Sequence, residues 1–420
     1  MIKINDKSME HRPELLSPAQ DWKSLELVKG LADAIYFGVE NYNMRMKANN
    51  FDRKDLRRIA ETCHSLNPPM RAYLTTNILI YDSELQDLEN LISEAKEAGI
   101  DAIIVHDLAA IKIAKKFMME FHISTQANVS NIQAAKFYED LGAERIILAR
   151  ELSLRQIKSI KEQLSKSKIE CFIHGSMCTS VSGRCYFSAT KTNSAQDSAN
   201  RGNCTQPCRR VWRVFDDENN ELIYDGLMFL NAKDLCMIEY IPELIEAKID
   251  AFKIEGRMKD PWYIKTTTEC YKEALDAYYN NKYNERKVVV WLNRLSQVYN
   301  RGFHTGFYFH KPTIKDIELE RRGNISHYKK HYIGKIISYD ETSKSANVLL
   351  ESLELPLRIG DQIIIEGIST YQIETIRKMI YKGEKIKSII RKRNTNPLRI
   401  NLRLKNKVEP SDKIYLIVNV

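Results

Sequence analysis

The sequence predicts an α/β chain: a TIM-like (β/α)8 barrel followed by a small all-β, barrel-like domain. Three observations carry that prediction. Eight short apolar runs alternate with amphipathic stretches between residue 14 and about residue 280. Polar residues gather where those runs end. Beyond residue 332 the helical period gives way to strict alternation.

The runs are 14–19, 32–38, 71–77, 101–107, 122–126, 145–150, 170–175 and 251–256. Their Ile, Val, Leu, Phe and Tyr content suits strands covered on both faces. The intervening stretches read as helices. In 84–98, Leu85, Leu88, Leu91, Ile92 and Ala95 recur at spacings of three and four, which is one helical face. Strands joined through helices run parallel, and eight of them favour a closed barrel over an open sheet. Ser17, Asn77, His106, Asp107, Gln126, Asn128, Arg150, Glu151, His174, Glu255 and Arg257 all lie at or just past run ends. In a barrel of this kind the active site forms at that end.

Residues 1–312 are therefore expected to form the barrel, with helix towards the end and a charged linker over 313–331. Residues 332–420 form the β domain: 334–340, 346–350 and 360–366 alternate and are bounded by turn residues. No stretch of 18 apolar residues is present, and the N-terminal residues lack the apolar core of a signal peptide, so a cytoplasmic chain with no membrane partner is expected.

Charge and cysteine are both unevenly placed. The formal net charge is +9, from 64 Lys and Arg against 55 Asp and Glu. Residues 377–407 hold twelve Lys or Arg, Arg391, Lys392 and Arg393 among them, and a single acid, Glu384. That tract exceeds the whole surplus, so the remainder is slightly acidic. It is either an electropositive footprint for nucleic acid or a solvated sheet surface whose lysines protect its edges.

Six of the eight cysteines fall between Cys171 and Cys236, where uniform scatter would put about one. Cys178, Cys185, Cys204, Cys208 and Cys236 have 6, 18, 3 and 27 residues between them. In a chain with no export signal such clustering argues for a metal or a catalytic thiol before a disulfide framework. An iron–sulfur cluster needs four thiolates. The paired Cys-x-x-Cys knuckles of structural zinc are missing, which disfavours zinc. Cys63, Cys171 and Cys270 read as small buried hydrophobes.

The passage Glu170-Cys-Phe-Ile-His-Gly-Ser-Met-Cys178 to Gly183-Arg-Cys185-Tyr-Phe-Ser188 resembles the signature of the U32 family of collagenase-like peptidases. So do Glu14-Leu-Leu-Ser-Pro-Ala19, Ser124-Thr-Gln-Ala-Asn128, Asn231-Ala-Lys-Asp-Leu-Cys236, Lys253-Ile-Glu-Gly-Arg257 and Arg301-Gly-Phe-His-Thr-Gly-Phe307. The resemblance implies a TIM-like barrel with a 4Fe-4S cluster. It also implies oxygen-independent hydroxylation of a tRNA wobble uridine, a ribosomal RNA cytidine or a quinone precursor. For the RNA-modifying members it implies prephenate as the hydroxyl source. Carried over by position, Cys178, Cys185, Cys204 and Cys236 match the ligands, with Cys208 in reserve. Overall size and the Arg301–Phe307 motif look most like the tRNA branch, and some members work beside a paralogous subunit.

The alternative is the peptidase activity of the family's name. No Gly-x-Ser-x-Gly or His-Glu-x-x-His motif occurs, which leaves a Cys178–His174 pair as the nucleophile and base. Under the RNA reading, Arg150 and Arg257 are candidates to grip a dicarboxylate by paired contacts. Glu255 is either an acid–base group or the partner of a rim salt bridge. Gln126 and Asn128 have the amides to read a base edge or to tie loops. His174 and His106 fit structural hydrogen bonding better than proton transfer. Arg391, Lys392 and Arg393 are the candidate phosphate contacts.

Overall fold

A computed structural model describes residues 12–192, 197–225, 227, 230–352, 355–367, 370–390 and 396–419. Two compact units meet between Ile325 and Ser326.

In chain order the strands of the first unit are β1 (Glu14–Pro18), β2 (Ala34–Phe37), β3 (Arg71–Thr76), β4 (Ala102–Val105), β5 (Phe121–Ile123), β6 (Arg145–Ile147), β7 (Lys168–Ser176), β8 (Trp212–Phe215), β9 (Glu221–Tyr224), β10 (Asp234–Cys236), β11 (Ala251–Ile254) and β12 (Phe303–His304). Strands β1 to β7 pair in parallel, each with the next, and β11 closes the ring by pairing with both β7 and β1. This is the predicted eight-stranded parallel barrel, and every predicted run falls on one of its strands. Strand β10 lies antiparallel to β7 outside the ring, and β8 with β9 forms a separate hairpin.

The turns after the strands are built by caps. Asp21 accepts from the Ser24 amide at 2.8 Å and opens the helix Trp22–Val28. Asp107 accepts from Ala109 at 2.9 Å and opens Leu108–Lys116. Asp260 accepts from Tyr263 at 2.9 Å and opens Pro261–Tyr279, with Pro261 in the first turn, where no amide donor is needed. Each cap satisfies an otherwise orphaned amide and so fixes where the preceding loop ends.

The stretch 313–331 differs from the expected linker. Asp316 is buried 3.5 Å from His304, and the Asn231 side-chain amide donates to the carbonyls of Glu318 and Arg321. Those contacts bind the first part of the stretch to the barrel unit. The second unit begins earlier than residue 332, with the strand Tyr328–Asp340 in an eight-stranded antiparallel sheet. Ile333, Ile336, Val348, Ile363, Ile400 and Leu416 form part of its core. Along Leu398–Arg403 the residues alternate, with Ile400 and Leu402 inward and Arg399 and Arg403 exposed. Lys382, Lys385, Lys387, Lys405 and Lys407 are exposed as well. Arg391, Lys392 and Arg393 lie outside the described residues.

Candidate active site at the barrel mouth

The C-terminal strand ends and the loops beyond them enclose a cavity of about 510 Å3, within the range of small-molecule sites. Eight Lys or Arg side chains line it against two acids, Glu255 and Asp260. The wall therefore favours an anion.

Strand β11 and the residues after it supply the centre of this wall. The Lys253 ammonium donates to Glu170 at 2.7 Å and lies 4.4 Å from the Tyr36 ring centre. Glu255 faces Arg45 at 3.1 Å and Arg150 at 3.9 Å. Burial alone would raise the Glu255 pKa, but Arg45 and Arg150 outweigh it and hold the carboxyl below its ordinary value. Glu255 is thus an ionised anchor for two arginines. Of the two roles expected for it, the structure has the rim salt bridge, with Arg45 and Arg150 as partners.

Arg257 is different. Its guanidinium donates to the Thr75 hydroxyl at 3.0 Å and to the Asn50 side-chain oxygen, and its Nε has no hydrogen-bond partner. No acid among the described residues lies within ion-pair distance. Burial pulls its pKa down to about 10, which still leaves a full cation at neutral pH. Gly38 makes room for it, since a Cβ there would sit 2.5 Å from the guanidinium. Arg209 is likewise held only by neutral oxygens, those of Asn231 at 2.5 Å and Met177 at 3.3 Å among them.

The cysteines arrive on successive loops. Cys178 follows β7, Cys185 follows the turn Val181–Gly183, and Cys204 and Cys208 flank the entry to the turn Pro207–Arg209. All four line the cavity. The Cys185 amide donates to Asn200 at 3.1 Å, which ties two of these loops together. Gly202 adopts φ +79°, and a Cβ there would collide with the Asn43 carbonyl, so the Cys204 loop can lie against residues 43–46 only as glycine. The β8–β9 hairpin props the Cys208 turn: Trp212 donates to the Pro207 carbonyl at 2.7 Å and Tyr224 to that of Cys208 at 2.8 Å.

Three sulfurs accept from the amide two residues on: Cys178 from Ser180 (3.5 Å), Cys185 from Phe187 (3.3 Å) and Cys204 from Gln206 (3.4 Å). Donors aimed at sulfur stabilise a thiolate and tune a cluster bound to it. Burial and the three neighbouring thiols Cys178, Cys204 and Cys185 push the Cys208 pKa up, while Arg209 opposes them. Among the described residues no three His, Cys, Asp or Glu side chains approach closely enough to share one ion. A cluster binds each thiolate to a different iron, so thiols spread around one cavity fit it better than a single zinc.

Cys236 does not belong to this set. It is buried on β10, outside the cavity lining, with its sulfur 3.8 Å from the Tyr271 hydroxyl, and burial pushes its pKa up to about 12. The sequence names Cys236 with Cys208 in reserve; in the structure Cys208 lines the cavity and Cys236 does not. His174 is also absent from the lining. Its Nδ1 lies 3.3 Å from the Tyr271 hydroxyl, and burial holds its pKa down at about 4. Gln126 and Arg150 do line the cavity, and Arg150 stacks 4.3 Å from the Phe172 ring centre. Asn128 ties a loop instead, accepting from Ser182 at 3.0 Å. His106 lies 3.4 Å from an Arg184 nitrogen and is kept mainly neutral by burial.

A family model described as peptidase family U32 matches residues 21–318. The chain belongs to that family. Relatives of this U32 protein carry divergent names. A protein of Methanocaldococcus jannaschii called an uncharacterized protease is 38% identical, over 96% of this chain and 98% of its own. A Porphyromonas gingivalis protein called collagenase is 39% identical, over 96% and 97%. A Bacillus subtilis protein called tRNA hydroxylation protein P1 is 33% identical, over 90% and 92%.

Sequence reasoning passed over several residues of the U32 site. Arg45 sits in irregular chain that shows no period. Arg209 was legible only as the neighbour of Cys208, and Arg301 only as part of a motif with no role attached. Lys259 and Tyr299 lie beyond the ends of the strands that drew attention.

Proposed function

We propose that this chain is an RNA hydroxylase. It converts a pyrimidine, the wobble uridine of tRNA, to its 5-hydroxy form without molecular oxygen, and prephenate is the hydroxyl source. The observation that carries the reading is the sharing of one barrel mouth by four thiols and a strongly cationic cavity. A 4Fe-4S cluster held by Cys178, Cys185, Cys204 and Cys208 supplies one-electron chemistry when bound.

The protein's own groups do the rest. Arg257, fixed by Thr75 and Asn50 and facing no acid, takes one carboxylate of the dianion. Glu255 keeps Arg45 and Arg150 oriented at the same wall. Gln126 presents its amide to a base edge. The exposed arginines and lysines of the C-terminal sheet hold RNA phosphates.

The peptidase reading rests on the family's description and on the names of three relatives. The Cys178–His174 pair it requires is not assembled, because His174 is turned to Tyr271 and away from the cavity. Nucleosides from tRNA and ribosomal RNA of a deletion strain, compared with the parent by mass spectrometry, test the proposal. Loss of one hydroxylated uridine from tRNA is expected. Loss of a hydroxylated cytidine from ribosomal RNA would redirect it to that substrate. An unchanged nucleoside profile would overturn it.

A further inference from the structure

Lys259 belongs to none of the roles assigned above. It lies in the short loop between β11 and the helix Pro261–Tyr279, and its side chain lines the cavity. Its ammonium sits 3.2 Å from the centre of the Tyr299 ring and 5.8 Å from that of Tyr263. Among the described residues no carboxylate lies within ion-pair distance of it. The other cavity lysine with a fixed buried role, Lys253, is by contrast locked to Glu170 at 2.7 Å. One lysine of the wall is thus neutralised, and another, in the lining that also includes Arg257, is held by aromatic faces.

We propose that Lys259 is an imine-forming lysine for a 2-oxo acid whose carboxylate is received by the cavity arginines. The Nζ lone pair attacks the carbonyl carbon, and the C=O π pair moves to oxygen. That oxygen leaves as water with the two amine protons, and a C=N bond remains. The step needs no oxidant, reductant or metal. A lysine does this only when its amine is free, and burial beside other cations with no carboxylate in reach is what frees it, while the Tyr299 face holds the side chain in place. Burial, with Arg301 and Arg209 adding to it and Asp234 and Glu255 opposing, brings the Lys259 pKa down to about 8. An exposed lysine near 10.4 keeps well under about one per cent of its amine free at neutral pH. The fixed guanidinium of Arg257 supplies the carboxylate contact that would select an oxo acid over a simple ketone.

The inference rests on the reading of the cavity as a small-anion site. Its test uses neither RNA nor the cluster, so the two fail separately. The full-length protein is incubated with pyruvate or with phenylpyruvate and treated with borohydride, which reduces an imine to a stable secondary amine. Peptide mapping by mass spectrometry then locates the adduct. At least one of the two acids is expected to label Lys259 more than tenfold above any surface lysine, and Lys259→Arg protein to lose that label while unfolding at the same temperature. Labelling spread evenly over lysines, or no label at Lys259 from either acid, would overturn the proposal. If Lys259→Arg does not fold, the map of the unaltered protein decides alone. A Lys259 adduct in a protein whose deletion leaves every RNA nucleoside unchanged would keep this inference and remove the hydroxylase reading.

Discussion

Arg145 and Arg257 are both buried guanidiniums of the same barrel, 1% and 2% exposed, one near each end of its interior. Arg145 pairs with Glu14 at 2.6 Å and Glu170 at 3.0 Å, and Glu170 in turn holds Lys253 at 2.7 Å. Close by, His122 meets Glu144 at 2.8 Å. At the N-terminal end, then, buried charge is met by buried charge. Arg257, at the C-terminal end, has two neutral oxygens and an unpartnered Nε. A buried cation without an anion costs stability, and a fold keeps one where a ligand supplies the missing charge. The matched end acts as a frame, and the unmatched end as a receptor.

Breaking the matched end should have the largest effect. Glu170→Ala leaves Arg145 with one acid and Lys253 with none, and should cost about 3–5 kcal/mol in denaturant unfolding. A loss below about 1 kcal/mol would mean that the network does not frame the barrel.

His174 marks the edge between the two ends, and acid tests it. Burial holds it near 4, against an ordinary 6.5, so the unfolded chain takes up a proton that the fold refuses. Its contribution is complete above pH 6.5 and is lost as pH falls towards 4, a slope worth on the order of 3 kcal/mol. His174→Phe should flatten that part of the stability profile relative to the parent. An identical slope in both proteins would show that the fold takes up the His174 proton as readily as the unfolded chain does.

At the unmatched end the effect should fall on binding and spare stability. Arg257→Lys keeps the charge and loses the planar fork, so, under the proposed function, the KM for prephenate should rise by roughly tenfold to a hundredfold, about 1.5–3 kcal/mol. Unfolding should move little, because no ion pair is broken. An unchanged KM would reduce Arg257 to a structural cation.

The frame was more legible in the sequence than the receptor. Strand runs such as 71–77 and 251–256 stand out because parallel strands buried on both faces must be apolar, and all eight were found. Arg150 and Gln126 could be placed at the mouth because side chains at strand ends inherit their position from the strand. Direction was harder to read. Spacing does not say that Cys236 lies against Tyr271 while Cys208 lines the cavity with three other thiols. Arg45 escaped for a related reason: its loop has no period, and only the folded chain brings it to Glu255.

Iron and sulfide content of two variants tests the receptor most directly. Purified without oxygen, the parent and Cys236→Ala proteins are both expected to carry about four iron and four sulfide per chain, and Cys208→Ala protein to lose them. Retention of the cluster by Cys208→Ala with its loss from Cys236→Ala would contradict the assignment of the four cavity thiols as one ligand set.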